Sequence, residues 1–190
     1  MKFTKMHGCG NDYIYVNGFE EHVKKSESWI RQMSDRNFGI GGDGVIFINP
    51  SSIADFEMEM YNADGSRGEM CGNGIRCVAK YVYDHGMTEK EEVTIESCGK
   101  IKIATLYVED GKVEKVRINM GEPELQACKI PVLADTEQVI QTSILVEDQE
   151  YKMTCVSMGN PHAVVFVDSI ESLDLPTIGP KFECHNRFPN

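Results

Sequence analysis

Residues 61–86 read YNADGSRGEMCGNGIRCVAKYVYDHG, and the passage changes character at Cys71. Before it come Asn62, Asp64, Gly65, Ser66 and Gly68, residue types that favour turns. After it Ile75, Val78, Ala79 and Val82 recur at helical spacing, and Gly86 is placed to end the element. The spacing predicts a helix from about Gly74 to His85. Cys71 then stands at a helix N-terminus, where N–H groups without partners and the positive end of the dipole stabilise a thiolate. Gly72 and Gly74 leave backbone amides unshielded, which suits a carboxylate held at the same terminus with its α-carbon within reach of the sulfur. A small buried residue beside a tight turn would leave the same trace, and the residues alone keep both readings open. Cys77, in register with the apolar positions, reads as core.

Working outward, strand signals precede this segment: YIYV at 13–16, GVIFIN at 44–49 and FEMEMYN at 56–62, the last alternating apolar and acidic residues with period two. They suggest antiparallel, half-exposed strands. Between the first two, SESWIRQMSDRNFG (26–39) opens on serine, carries Glu27 in its first turn and spaces Trp29, Ile30 and Met33 on one face. That is a short amphipathic helix. After Gly86 the period returns to two through EEVTIES, GKIKIATLYVEDGKVEKVRINMG, QTSILVEDQEYKMTCVSMG and AVVFVDS, with turns at Cys98-Gly99 and Asp110-Gly111. Many strands and two helices make an α+β protein.

Composition bounds the function. The chain has 190 residues, 41% of them hydrophobic, enough for a real core, and its net charge is -11 without a cluster of lysine or arginine. Nucleic acid and anionic membrane surfaces are therefore poor partners, and no stretch has the length and apolarity of a signal peptide or a membrane span. A cytoplasmic location follows as the expectation. Seven cysteines, an odd number without C-x-x-C pairs, read as reduced thiols, and since zinc sites usually show close Cys or His pairs, Cys184-His185 with the distant Cys155 and His162 are poor ligand candidates.

FGIGGDG at 38–44 satisfies G-x-G-x-x-G, but the nucleotide fingerprint needs a strand before and a helix after, and here the order is reversed. A loop lining a pocket and a plain turn both fit. Asn11, Asn62 and Asn160 each stand where a strand meets a turn; an amide there can serve a zwitterionic ligand or simply shape the turn. CGNDYIYV (9–16) and MGNPHAVVFV (158–167) echo one another, with Asn11 and Asn160 separated by 149 positions. If the echo marks a duplicated domain, the counterpart of Cys71 falls near position 220, beyond Asn190.

The chain resembles the diaminopimelate epimerases through five motifs in order: FTKMHGCGNDY (3–13), GIGGDG (39–44), YNADGSRGEMCGNGIRC (61–77), VSMGNPHAVVFVD (156–168) and GPKFECHNRFP (179–189). Asn73 in CGNG favours this branch over related racemases of proline-like substrates, which tend to have histidine there. The resemblance implies two pseudo-symmetric domains of mostly antiparallel strands around a central helix, residues 1–118 forming the first and 119–190 part of a second. It implies inversion of LL-2,6-diaminopimelate to the meso form, a step toward lysine and peptidoglycan precursors, by two cysteines on opposite faces of the α-carbon and without pyridoxal phosphate, metal or other cofactor.

Residue by residue, the resemblance makes Cys71 the first catalytic cysteine and His162 a histidine that tunes the pair. Asn11, Asn62, Gly72, Asn73 and Asn160 match substrate contacts. The family's contact in the glycine loop falls at Gly44, which has no side chain. The second cysteine and further substrate contacts lie past the last motif, so the resemblance implies a chain truncated at its C-terminus, doubtful activity alone, and self-association or a homodimer. A racemase of another amino acid and a non-catalytic binding remnant are the alternatives.

Overall fold

The computed structural model describes residues 1–189, which divide into two compact units, Met1–Met120 and the residues from Gly121 onward. The first holds seven strands in one sheet, hydrogen-bonded in chain order: β1 (Thr4–Gly8), β2 (Asn11–Asn17), β3 (Gly44–Asn49), β4 (Phe56–Asn62), β5 (Glu92–Ser97), β6 (Lys100–Glu109) and β7 (Lys112–Asn119). Helix α2 (Gly72–Asp84) packs against β1, β2, β5, β6 and β7, so the sheet curls around it. Its apolar stripe explains the grip. Ile75, Val78, Ala79 and Val82 are fully buried, and each large aliphatic side chain contributes about 2 kcal/mol relative to exposure. A helix cap is worth about 1 kcal/mol, so the sheet holds this helix and its N-terminus is delivered by the packing.

Helix α1 (Glu27–Ser34) covers the other face of β2 and β3. Ser26 caps it, Oγ accepting the Trp29 N–H at 3.3 Å, and Ile30 buries among Ile14, Val16, Val45 and Phe47. Tyr13, Tyr15, Ile46 and Ile48 meanwhile face the α2 side. Covering both faces removes the half-exposure expected of these strands: Tyr13–Val16 and Gly44–Ile48 are all buried. It also corrects the pairing. β2 and β3 run parallel, as do the short β4–β5 contacts, while the remaining pairs are antiparallel. A strand's own sequence reports its burial and not its partner's direction; the intervening helix is a crossover of the kind parallel strands require. The turns at Cys98-Gly99 and Asp110-Gly111 place both residues of each at positive φ, the conformation of tight hairpins.

The second unit is a three-stranded antiparallel sheet in the order β10 (Pro161–Val165), β9 (Gln149–Ser157), β8 (Thr142–Val146), with a helix α3 (Leu175–Glu183) after it. Val139, Ile144, Met153 and Cys155 are buried at its centre, and Phe182 of α3 meets Tyr151 edge to face. The sequence reading has no α3, and the segment carries Pro176, Gly179 and Pro180, residue types that disfavour helix interiors. Pro176 falls in the first turn, where no intrahelical N–H is needed, and Asp174 supplies the cap to Thr177 N.

The echo between the two motifs is structural. β1, turn, β2, α1 is matched within the second unit by β9, turn, β10, α3: Asn11 and Asn160 lie 149 positions apart, the starts of α1 and α3 148, and their ends 149. Each unit thus repeats an antiparallel hairpin followed by a short helix.

Gly44 tests the fit of the first unit. A β-carbon there would lie 1.9 Å from the Tyr61 carbonyl oxygen and 2.9 Å from the Tyr13 ring. Gly44→Ala is expected to destabilise this unit by about 2 kcal/mol or more. Urea unfolding followed by the fluorescence of Trp29, which lies against Phe47 of β3, measures it; an unchanged midpoint would show that the strands can part at no cost.

Candidate functional site

The topology gathers one end of the first sheet. β2 and β3 begin there and β4 ends there, with Gly44 opposite both Tyr13 and Asn62 in register. The N-terminus of α2 arrives at the same place. Its first turn begins two residues earlier than the apolar spacing indicates, because Cys71 itself is the capping residue. The backbone of Cys71 is extended, and its Sγ accepts the Gly74 N–H at 3.1 Å, as a serine oxygen would. The same sulfur donates its proton to Asn11 Oδ1 at 3.1 Å. Cys71 is half-buried.

Glycine at 74 allows a close approach to β3. A β-carbon there would stand 2.7 Å from Ile46 Cδ1 and 3.4 Å from Cys71 Sγ, so its absence lets the helix settle on β3 and keeps the amide open to the sulfur. Gly72 is different, since a β-carbon would meet nothing nearer than Met120 Cε at 3.8 Å. It borders open space. The first turn of α2 contains no acidic residue, and the first N–H groups of a helix have no intrahelical carbonyl to bond. A helix terminus of this kind can receive an external anion.

Asn11 opens β2, and its Nδ2 donates to Asp43 Oδ2 at 2.7 Å. Asp43 in turn accepts the Asp12 N–H at 3.1 Å and Arg36 Nη2 at 2.9 Å. Arg36 also bonds Asp12, whose carboxyl is held well below the usual carboxylate range by Arg36 first and Lys5 second. The sequence reading missed Asp43, Arg36 and Asp12. Asp43 lies in GIGGDG and Asp12 in GND, where an acidic residue reads as turn chemistry, and only the fold brings them together. Tyr13 is buried against the same group, its phenol pushed up to about 12, first by burial and then by the neighbouring Cys71.

Asn73, in the first turn of α2, accepts Arg76 Nη2 on its side-chain oxygen at 2.5 Å. Arg76 reaches Cys9 Sγ at 3.6 Å, and the hairpin tip lies so close that a β-carbon on Gly8 would be 3.0 Å from the Asn73 carbonyl oxygen. Asn62 ends β4, and its Nδ2 bonds Ser66 Oγ at 3.0 Å within the following turn. The first unit thus brings Asn11, Cys71, Gly72 and Asn73 together, with Asn62 across from Gly44. Asn160 and His162 belong to the second unit, Asn160 in the turn that matches Cys9-Gly10 and His162 exposed on β10, lining an apolar groove with Tyr151, Cys155 and Phe182. Among the described residues no group of three or more His, Cys, Asp or Glu side chains is placed to hold a metal ion, and no helix is long and apolar enough to cross a membrane.

Comparison with known proteins gives this geometry a family. The family model described as diaminopimelate epimerase matches residues 3–126. A diaminopimelate epimerase of Agathobacter rectalis is 57% identical over the whole of this chain, which covers 69% of that relative, and one of Methanococcus maripaludis is 51% identical, with 68% of it covered. Among solved structures, a hydroxyproline epimerase from Agrobacterium vitis aligns with a TM-score of 0.63 at 18% identity over 93% of this chain and 52% of its own. A predicted epimerase from Pseudomonas aeruginosa aligns at 0.55 and 14% identity, over 90% of this chain and 62% of its own. The last two speak to the fold alone, which they share through most of both units. From the matching model and from relatives more than half identical over its full length, this chain belongs to the diaminopimelate epimerase family, a family of isomerases.

Proposed function

We propose that the first unit supplies one half of a two-thiol epimerisation centre for LL-2,6-diaminopimelate, with Cys71 as the proton-transfer group on one face of the α-carbon. The observation that carries this is the sulfur's position: a helix-capping Sγ, bonded to the Gly74 N–H and beside the amides of Gly72 and Asn73. A substrate α-carboxylate seated on those amides puts its α-carbon next to the sulfur. The helix terminus then acts twice, favouring the thiolate that removes the α-hydrogen and the carboxylate across which the resulting negative charge spreads; each such interaction is worth about 0.3–2 kcal/mol.

Asn11, bonded to the Cys71 sulfur, and Asn73, in the first turn of α2, are assigned to contact this end of the substrate, and Asn62 stands on the adjacent strand. Asn160 and His162 are assigned to substrate contact and tuning of the cysteine pair by motif match. The reaction as proposed needs neither pyridoxal phosphate nor metal.

Inversion needs an acid and a base on opposite faces, since one thiol returns a proton only to the face from which it came. None of the other cysteines repeats the setting of Cys71. Cys77 and Cys155 are buried within α2 and β9, Cys9 and Cys98 occupy hairpin turns, Cys184 follows the C-terminal end of α3, and Cys128 is exposed in a loop. The second group is therefore assigned to sequence outside these 190 residues, in keeping with the roughly two thirds of each curated relative that this chain spans.

The test is a fusion of this chain to the part of the Agathobacter rectalis relative that lies outside the match. The fusion is expected to convert LL- to meso-diaminopimelate, and Cys71→Ala to lower the rate by at least about 100-fold, the scale of losing a positioned acid–base group. Conversion that survives Cys71→Ala would remove Cys71 from the chemistry.

A second expectation concerns access. Burial pushes the Cys77 and Cys155 thiols up, so in the native chain iodoacetamide should modify Cys71 ahead of both. Peptide mapping at partial modification measures this; Cys77 reacting as fast as Cys71 would show that α2 does not hold its cap.

A further inference from the structure

We propose that Asp43 is a positioning residue for Cys71: its carboxylate fixes the Asn11 amide with the oxygen, not the NH2, toward the sulfur. This deepens the assignment of Cys71 as a proton-transfer thiol and rests on it. The two ends of an asparagine amide have nearly the same shape and opposite hydrogen-bonding sign. An oxygen facing Cys71 pairs with S–H and opposes a thiolate, whereas an NH2 facing it would do the reverse.

The choice is made on the far side of Asn11. Its Nδ2 lies 2.7 Å from Asp43 Oδ2, and an ionised carboxylate only accepts. Turning the amide over would set Oδ1 against that oxygen and lose a charge-assisted bond. Asp43 cannot easily yield. Arg36 Nη2 bonds its Oδ1, the Asp12 N–H bonds its Oδ2, its own N–H donates to the Asp12 carbonyl at 2.7 Å, and the Ala63 N–H donates to its carbonyl at 2.9 Å.

Orientation is thus passed from Arg36 to Asp43, from Asp43 to Asn11, and from Asn11 to the thiol. Cys71 is held with its proton aimed at Asn11 Oδ1 while Gly74 N–H steadies the sulfur from the helix. The charged and titratable neighbours on this end of the unit include Tyr13 and Asp12 of β2, Lys5 of β1, Cys9 of the hairpin turn, Arg76 and Cys77 of α2, and the Asp43–Arg36 pair. Of these, Asp43 is the one that bonds the Asn11 NH2 in the structure.

The test is a double-mutant cycle read by iodoacetamide alkylation of Cys71 across neutral to alkaline pH, with peptide mapping. Asp43→Asn frees the Asn11 amide to turn, so Cys71 should react about threefold or more faster at neutral pH, with its rate profile displaced toward lower pH. Asp12→Asn also takes a carboxylate from Arg36 but leaves the Asn11 side chain alone, and should change the rate less than about twofold. In an Asn11→Ala background Asp43→Asn should have no further effect. Equal acceleration with and without Asn11, or equal acceleration by Asp12→Asn, would reduce Asp43 to a nearby charge and overturn the proposal.

If Asp43→Asn does not fold, Arg36→Gln, which releases Asp43 Oδ1, takes its place in the same cycle: acceleration that depends on Asn11 supports the proposal, and acceleration that persists in Asn11→Ala overturns it. Diaminopimelate is absent from these measurements. Failure would therefore leave the assignment of the reaction to the fusion experiment.

Discussion

The seat of α2 on the concave face of the first sheet is the constraint from which the site follows. Ile75, Val78 and Val82 fix the helix's rotation and height, and the missing side chain of Gly74 lets its first turn lie against Ile46 of β3. Once the helix is seated, its N-terminus must open where β2 and β3 begin. Cys71 arrives there as a cap, and Asn11 as the first residue of a strand. Neither position could shift without unpacking the core between them. Burial in this unit involves several side chains at about 2 kcal/mol each, while any one polar contact at the site contributes about 1. The apolar core therefore sets the geometry and the polar groups accept it.

A polar relay borders that core. Asp43 and Asp12 are neutralised by Arg36, with Lys5 also on Asp12, and the relay ends at the Asn11 amide. Placing the ion pairs at the half-exposed margin avoids the desolvation cost of a buried charge, while their hydrogen bonds still orient a side chain that reaches the sulfur. Tyr13 and Gly44 complete the wall. The strand backbone of β4 passes so close to Gly44 that no side chain fits, and the Tyr13 ring lies at the same spot. Position 44 thus offers backbone alone to this end of the unit, with the buried Tyr13 beside it.

Much of this could be read from the residues because local signals and tertiary demands agree. GVIFIN and FEMEMYN coincide with β3 and β4, each bounded by residues that end strands, and the hairpin at Asp110-Gly111 has a turn type that its residues prefer. Ser26 caps α1 as its type suggests. The misses have separate causes. The parallel pairing of β2 and β3 is decided by a crossover, and α3 forms through Pro180 because Phe182 has Tyr151 to pack against. At the site, Cys71 with Gly72 and Gly74 is legible as a helix start. The Asp43–Asn11 contact joins residues 32 apart in sequence, and spacing carries no trace of it. That contact exists only once β2 and β3 lie side by side.

The central claim is that these residues build one face of a two-faced centre around Cys71. It is tested most directly by incubating the purified 190-residue chain with LL-diaminopimelate in deuterated water, following the α-proton signal and separating the stereoisomers. The account predicts no meso product, and any deuterium that enters at the α-carbon does so with configuration retained. Meso-diaminopimelate carrying α-deuterium, formed by this chain alone, would contradict it.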